Sequence, residues 1–403
     1  MASTLDIVGP DSPFIDALLK ASEFRRNLVE QGHASADSSD ALTTNRGQLA
    51  QLVNICFWTS LAAEEGRPVR GVVAVCSRQP SPTATGLVTP RPCSTSDLVA
   101  LLTAAGDAAV AVHAGLDGPE VWGFVDRAAL PMHALRLRVG GTGTVIASLQ
   151  SRVVAILSHG RVDIPANASW LDLAQLVSNT LDRGEPFEKR LVRAERLLQI
   201  VAAMHQHGHG GGVVVTPPDG ASPADMNIKY ALDADGAKIV QERVAMFESA
   251  ARDSQLLEDA WMHGQPFETP QPQWNLKAET KKVTRRLLDT ALRHVGHLSS
   301  VDGAVVVDEQ LRVVGFGAKL TAQHAEFQVA EWDAVSGSTR RSVSPAELGG
   351  TRHQSAARYV FHHHQCMCFV ASQDGRLSLF AWLEKDRSVV FIRRLEHFIW
   401  EHE

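Results

Sequence analysis

The chain has 403 residues, 44% of them hydrophobic and 21% charged, and a formal net charge of −6. That length allows two or three domains with sizeable cores, and the composition is ordinary for a globular protein. The acidic balance argues against a general nucleic-acid or membrane surface, although it leaves room for a local basic pocket. No apolar run reaches the ~18 residues that a transmembrane helix needs. Met1 to Pro10 carries Asp6 and no basic region, so it is not expected to be a signal peptide. The five cysteines (Cys56, Cys76, Cys93, Cys366 and Cys368) are odd in number and lack framework spacing. They are expected as reduced thiols in a cytoplasmic protein.

In chain order, residues 12–31 and 46–65 have helical periodicity. Leu49, Leu52, Val53 and Cys56 repeat at i, i+3, i+4 and i+7, and Gly66 and Pro68 supply a stop. Gly71 to Cys76 is a buried strand. Residues 78–94, rich in Pro, Ser and Thr, are a loop. A short helix follows near 95–105, then strands near 108–113, 120–124, 143–149 and 152–157. Trp170 to Leu181 is a helix with Ser169 as N-cap and Asp172 completing a capping-box-like pair. These elements predict an N-terminal α/β domain over residues 1–187.

A second domain, 188–403, opens with the amphipathic helix Phe187 to His205. It passes a glycine run, Gly208 to Gly212, into the strand Val213 to Thr216. Glycines there let the backbone turn sharply. They are no Walker loop: the Gly-Lys-Ser/Thr ending is missing and a strand follows. Residues 217–276 are an insertion with a helix near 238–262. Lys277 to Val295 is a basic helix. Asp302-Gly303-Ala304 then opens the apolar strand Val305 to Val307, and Leu311 to Leu320 follows. Gly349-Gly350-Thr351-Arg352-His353-Gln354-Ser355 starts a helix. Cys366 to Ser372 and Leu377 to Leu383 form a hairpin around Gln373 to Arg376, before a last strand, Val389 to Ile392.

Two of these segments carry chemistry. Asp302 offers a carboxylate beside a tight glycine turn. Thr351, Arg352 and His353 offer a hydroxyl, a guanidinium and an imidazole at a helix start, where backbone N–H groups attract anions. Metal-bound polyphosphate needs both environments. Asp374 lies in Gln-Asp-Gly, a plain hairpin turn as much as a metal position. Lys319 can reach a phosphate or simply be solvated. His362, His363 and His364 project in different directions and match no zinc spacing with Cys366 and Cys368. His205, His207 and His209 read as a solvated loop.

The order of these segments resembles the diadenylate cyclase (DAC) domain, which joins two ATP molecules into cyclic di-AMP. The resemblance covers roughly residues 188–385. It implies an α/β fold: an N-terminal α/β domain, then a DAC-like mixed sheet flanked by helices. The chain as a whole is similar to a DAC-related group described as probable nucleotide sensors, DACNV, through Phe57 to Arg67, Gly315 to Lys319 and Arg352 to Ala357. By this resemblance Asp302 binds the catalytic cation, Mg²⁺ or Mn²⁺, and activates the attacking 3′-hydroxyl. Gly303 and Ala304 lie beside the nucleotide. Thr351, Arg352, His353 and Ser355 bind it, and Asp374 helps hold the metal. A homodimer with facing sites is implied, with ATP or a related nucleotide as ligand.

Two positions depart from the cyclase pattern. Gln354 stands where a second arginine is usual, and Gln373 where a first carboxylate is usual. Losing one such donor can cost roughly 2.7–4 kcal/mol in a transition state without abolishing binding. Two readings therefore stand side by side: a cyclase, and an inactive sensor of a nucleotide or cyclic dinucleotide.

Overall fold

Apolar residues, alternating in some strands and unbroken in others, build two mixed sheets in this chain, each with helices packed on it. The computed structural model describes residues 7–30, 45–78, 84–130, 134–140, 143–149, 152–165, 170–181, 184–218, 225–262 and 271–399. Two compact units emerge, one of Met1–Trp170 and Val335–Gly337, the other of Leu171–Ala334 and Ser338–Glu403. The fold class is α/β, as the sequence predicts.

In the first unit α1 (Pro13–Glu30) and α2 (Arg46–Ser60) precede a small hairpin, β1 (Ala63–Glu64) and β2 (Arg67–Pro68). Glu65 and Gly66 at its tip both have positive φ, 50° and 79°, the backbone a two-residue hairpin turn requires. There follow β3 (Gly71–Val75), β4 (Ala84–Pro92), α3 (Thr95–Ala105), β5 (Ala108–Ala114), β6 (Pro119–Asp126), β7 (Leu135–Val139), β8 (Thr144–Leu149), β9 (Arg152–Ser158) and β10 (Arg161–Asp163). The strand order is β10-β9-β8-β7-β3-β5-β6-β4, with β3 and β5 parallel. Leu49, Leu52, Val53 and Cys56 of α2 pack on every second residue of the strands, among them Val73, Val75, Val110, Val112, Leu137 and Val145. Asn45 caps α2 by accepting from the Gln48 N–H, and Ser94 caps α3 through the Asp97 N–H.

The loop expected at 78–94 is in part a strand. β4 lies at the sheet edge, pairs with β6, and loses register between Gly86 and Arg91. An edge strand with an irregularity tolerates Pro90 and Pro92, which a central strand would not. The N-cap expected at Ser169 lies outside the described residues.

The second unit runs α4 (Trp170–Thr180), α5 (Phe187–Gln206), β11 (Gly211–Thr216), β12 (Met226–Ala231), α6 (Ala234–Ala237), α7 (Ile239–Met262), α8 (Gln271–His297), β13 (Ala304–Asp308), β14 (Val313–Leu320), β15 (Val329–Asp333), β16 (Ser338–Val343), α9 (Thr351–His362), β17 (Met367–Ala371), β18 (Leu377–Leu383) and β19 (Ser388–Arg393). Its strand order is β12-β14-β13-β11-β17-β18-β19-β15-β16. The pairs β11–β13 and β15–β19 are parallel and the rest antiparallel. β11, β13 and β17 are buried throughout, which is why they read as unbroken apolar runs. α9 covers one face, burying Ala356, Ala357, Tyr359 and Val360 against Val214, Val306, Cys368 and Phe380.

Register brings separate segments to one sheet edge. Gly212 pairs with Ala304, Gly211 with Ala371, and Ala371 with Leu377. The approach to β13, the start of β11 and the β17–β18 turn therefore lie side by side. Further along the same edge, Leu379 pairs with Ile392 and Asp333 with Arg393.

Candidate functional site

Along that edge two adjoining cavities share Asp302, Thr351, Arg352 and Val370. The larger, of about 760 Å³, is polar; Thr351, Arg352, His353, Gln373 and Asp374 line it. The smaller, of about 250 Å³, is mostly apolar. Gly303, Ala304, Ala318, Ser355 and Phe369 line it, with Lys319. Eight residues assigned to metal or nucleotide by the resemblance thus line the joined cleft: Asp302, Gly303, Ala304, Thr351, Arg352, His353, Ser355 and Asp374.

Each is held by local physics. Gly303 has φ +119°, and a Cβ there would lie 2.6 Å from the Gly317 carbonyl carbon and 2.8 Å from the Ala318 oxygen. Only glycine lets this turn pack on β14 and still present Asp302 at the cleft. Asp302 is 83% exposed, 3.6 Å from the Arg352 guanidinium, itself 42% exposed. An exposed pair of this kind is worth about 0–1 kcal/mol. A pair that weak leaves the Arg352 guanidinium available to a stronger acceptor, since a charged hydrogen bond can be worth about 1.5–3 kcal/mol.

Arg352 reaches close to the glycine run. Gly210 has φ +71°, and a Cβ on it would sit 3.0 Å from Arg352 Nη1 and 3.2 Å from the Ala371 carbonyl oxygen. The helix start itself is capped by Gly350, with no side-chain cap bond. A Cβ at Gly349 or Gly350 would meet nothing within 4 Å, so the approach is open. First-turn amides at such an end favour an anion.

His353 stands edge-on to Phe380 and Phe391, each ring centroid 5.9 Å away. Burial holds its pKa below the ordinary histidine value; Asp374 opposes this and Arg393 adds to it. Asp374 sits in the turn between β17 and β18. Burial alone would raise its pKa, but the Ser372 hydroxyl, the Arg376 N–H and the Arg376 guanidinium bring it below the usual carboxylate value. The turn is braced from α5, where His205 Nε2 donates to the Gly375 carbonyl at 2.8 Å.

Gln354 does not line either cavity. Its amide donates to the Gly349 carbonyl at 2.9 Å and the Ala346 carbonyl at 3.5 Å, so it ties down the loop that leads into α9. Gln373 does line the larger cavity.

The histidine run before β11 is less solvated than its sequence suggests. Ser299 Oγ donates to the Gly296 carbonyl at 2.6 Å, so His207 Nε2 must donate to Ser299 Oγ at 2.8 Å. His207 Nδ1 accepts the His209 N–H at 3.1 Å. Both ring nitrogens are thereby committed in the neutral form, and burial lowers its pKa to match. His362, His363 and His364 diverge: to the Gln323 carbonyl, to the Asp225 carboxylate, and onto the Trp382 ring at 3.5 Å. Among the described residues no group of three or more His, Cys, Asp or Glu is arranged to hold a metal.

Sequence reasoning missed the far wall of the larger cavity: Glu331 on β15, Arg341 on β16 and Arg393 on β19. Its only signal was alternation, with Glu331 and Asp333 two apart and an arginine pair, Arg393 and Arg394, closing an apolar strand.

A family model described as "Probable sensor domain DACNV" matches residues 38–126. The match falls in the first unit and includes Phe57 to Arg67; the cleft lies in the second unit, beyond it. No curated protein and no solved structure matches the chain. Among the described residues no helix is long and apolar enough to cross a membrane.

Proposed function

We propose that the second unit is a nucleotide-binding unit and that the sensor-like first unit couples a signal to it. One observation carries this reading. Residues from three distant segments, Asp302-Gly303-Ala304, Thr351 to Ser355 and Asp374, line one cleft with a polar part beside a smaller apolar part. A nucleotide has the same division. Its base and sugar suit the slot of Ala304, Ala318 and Phe369, and its phosphates suit Arg352, Thr351 and the α9 N-terminus. Burying a base-sized apolar surface supplies affinity, and the fixed donors supply orientation.

Asp302 and Asp374 fit a cation that arrives with the nucleotide. They are 83% and 54% exposed, and Mg²⁺ in such sites takes one or two carboxylates plus phosphate oxygens and water. When bound, the ion neutralises charge on the phosphates. His353, neutral and packed on aromatic rings, gives the phosphates a fixed neighbour. Arg352 exchanges Asp302 for a phosphate oxygen.

The second reading is catalysis. The exposure of Asp302 beside the cleft favours it, because a 3′-hydroxyl could approach the carboxylate. The hydroxyl oxygen of one ATP would bond to the α-phosphorus of another as Asp302 takes the hydroxyl proton and pyrophosphate leaves, and the reciprocal transfer would close the ring and release a second pyrophosphate. A second protomer must bring that second ATP, so this reading requires a homodimer.

Calorimetric titration of the purified chain with ATP, ADP and AMP, with Mg²⁺ or Mn²⁺, tests binding. Arg352→Ala should weaken ATP binding at least tenfold, about the worth of one charged hydrogen bond. Unchanged affinity in both Arg352→Ala and Asp302→Asn would sink the reading. Chromatography of an ATP incubation with Mn²⁺ decides between the two outcomes: cyclic di-AMP that vanishes in Asp302→Asn establishes catalysis, and binding without product leaves a sensor.

A further inference from the structure

The far wall of the larger cavity has a construction that nucleotide binding at α9 leaves unexplained. Glu331 is buried to 3% side-chain exposure on β15. Arg393 Nη1 donates to its Oε1 at 2.5 Å and Arg341 Nε to its Oε2 at 3.0 Å. Burial pushes its carboxyl up, but the two hydrogen bonds and the charges of both guanidiniums together bring its pKa below the ordinary value.

One guanidinium would neutralise one buried carboxylate. Here two guanidiniums meet one carboxylate, which leaves a surplus of one positive charge on the wall. Both arginines line the cavity, Arg393 32% exposed and Arg341 62% exposed. Each uses one edge on Glu331, and an arginine fork has five N–H donors. The remaining donors are held in place by a partner that cannot move, so little side-chain entropy is left to lose on binding. Arg376, on the same cavity, is engaged by Asp374 at 3.3 Å, and Arg352 stands by Asp302. Glu347 also lines the cavity and accepts from the Ser344 hydroxyl at 3.2 Å, so the surplus is local to the Glu331-braced pair.

We propose that Arg341 and Arg393, braced by Glu331, form a second anion subsite that receives the far end of a polyphosphate chain. The near end lies at the α9 N-terminus, and His353, close enough to Arg393 for that charge to lower its pKa, stands between. This rests on the nucleotide reading for the near end only. The cleft then selects for chain length, favouring tri- over monophosphates.

Titration of the full chain with ATP, AMP and inorganic tripolyphosphate tests it in wild type, Arg341→Gln and Arg341→Lys. Arg341 is the variant site because it lies on an edge strand and Arg393 stays behind to hold Glu331. Arg341→Gln should weaken ATP and tripolyphosphate about tenfold and leave AMP unchanged, with partial recovery in Arg341→Lys. Unchanged ATP affinity in Arg341→Gln, or an equal loss for AMP and ATP, overturns the subsite. Should wild type bind neither ATP nor AMP, the nucleotide reading fails by itself. In that case tripolyphosphate bound by wild type and lost in Arg341→Gln still upholds the subsite, and no tripolyphosphate binding at all overturns it.

Discussion

His353 shows how one side chain ties the site to stability. Packed on Phe380 and Phe391, it has a folded pKa below that of the unfolded chain, chiefly through burial. As pH falls, the unfolded chain therefore takes up the proton first. The contribution of neutral His353 is fully present above the unfolded value of about 6.5 and is lost as pH drops below it. His207 acts in the same direction. Urea midpoints should fall between about pH 7.5 and about pH 5.5, and His353→Gln should reduce that fall. An equal fall in the variant would remove His353 from the account. Gln354 has a role of its own beside the cleft. As a letter in a motif it is a missing arginine; as a side chain it holds the Gly349 and Ala346 carbonyls. The letter cannot reveal where the amide points, because that depends on the loop before α9.

At the scale of elements, α5 and α8 cross closely enough that Gly296 is decisive. A Cβ there would lie 2.5 Å from both the Ala203 Cβ and the Ile200 carbonyl oxygen, and 2.9 Å from the Met204 nitrogen. In an exposed helix, glycine to alanine would stabilise by about 1 kcal/mol. Here the backbone contacts reverse the sign. Gly296→Ala should destabilise the second unit by about 1–3 kcal/mol in chemical denaturation, the usual range for overpacking. The crossing also positions Ser299, which holds His207 beside the glycine run. Elements with strong local signals, such as α2, α5, β11 and β13, were legible in the sequence. β12, β15 and β16 were not. Their polar or half-exposed residues make sense only beside a partner strand: Glu331 faces inward because Arg341 and Arg393 are delivered to it by pairing. Sheet edges behave alike, since Pro90 and Pro92 argue for a loop until an edge position makes them admissible.

For the molecule as a whole, the two units have separate cores. One is built on α2 and the eight-stranded sheet, the other on α9 and the nine-stranded sheet. Two-state unfolding is a property of single small domains. Denaturation should therefore show two transitions, and ATP should raise only the one belonging to the second unit. A single transition shifted as a whole by ATP would mean that the cores unfold as one. The match to a probable sensor domain stays within the first unit and does not extend to the cleft.

The sequence by itself determined the α/β class, the central buried strands and the residue types on one side of the cleft. Apolar periodicity and the local needs of turns and helix starts are written in neighbouring residues. Gly303 must be glycine for its own φ, and Thr351-Arg352-His353 opens a helix directly after two glycines. Tertiary structure alone decided that Asp302, Arg352 and Asp374 share one cleft, that Gly210 makes room for Arg352, and that Glu331 gathers two arginines on the opposite wall. These are matters of strand register and close approach between segments tens to more than a hundred residues apart. No local pattern encodes such distances, because burial and pairing exist only once the sheet has formed.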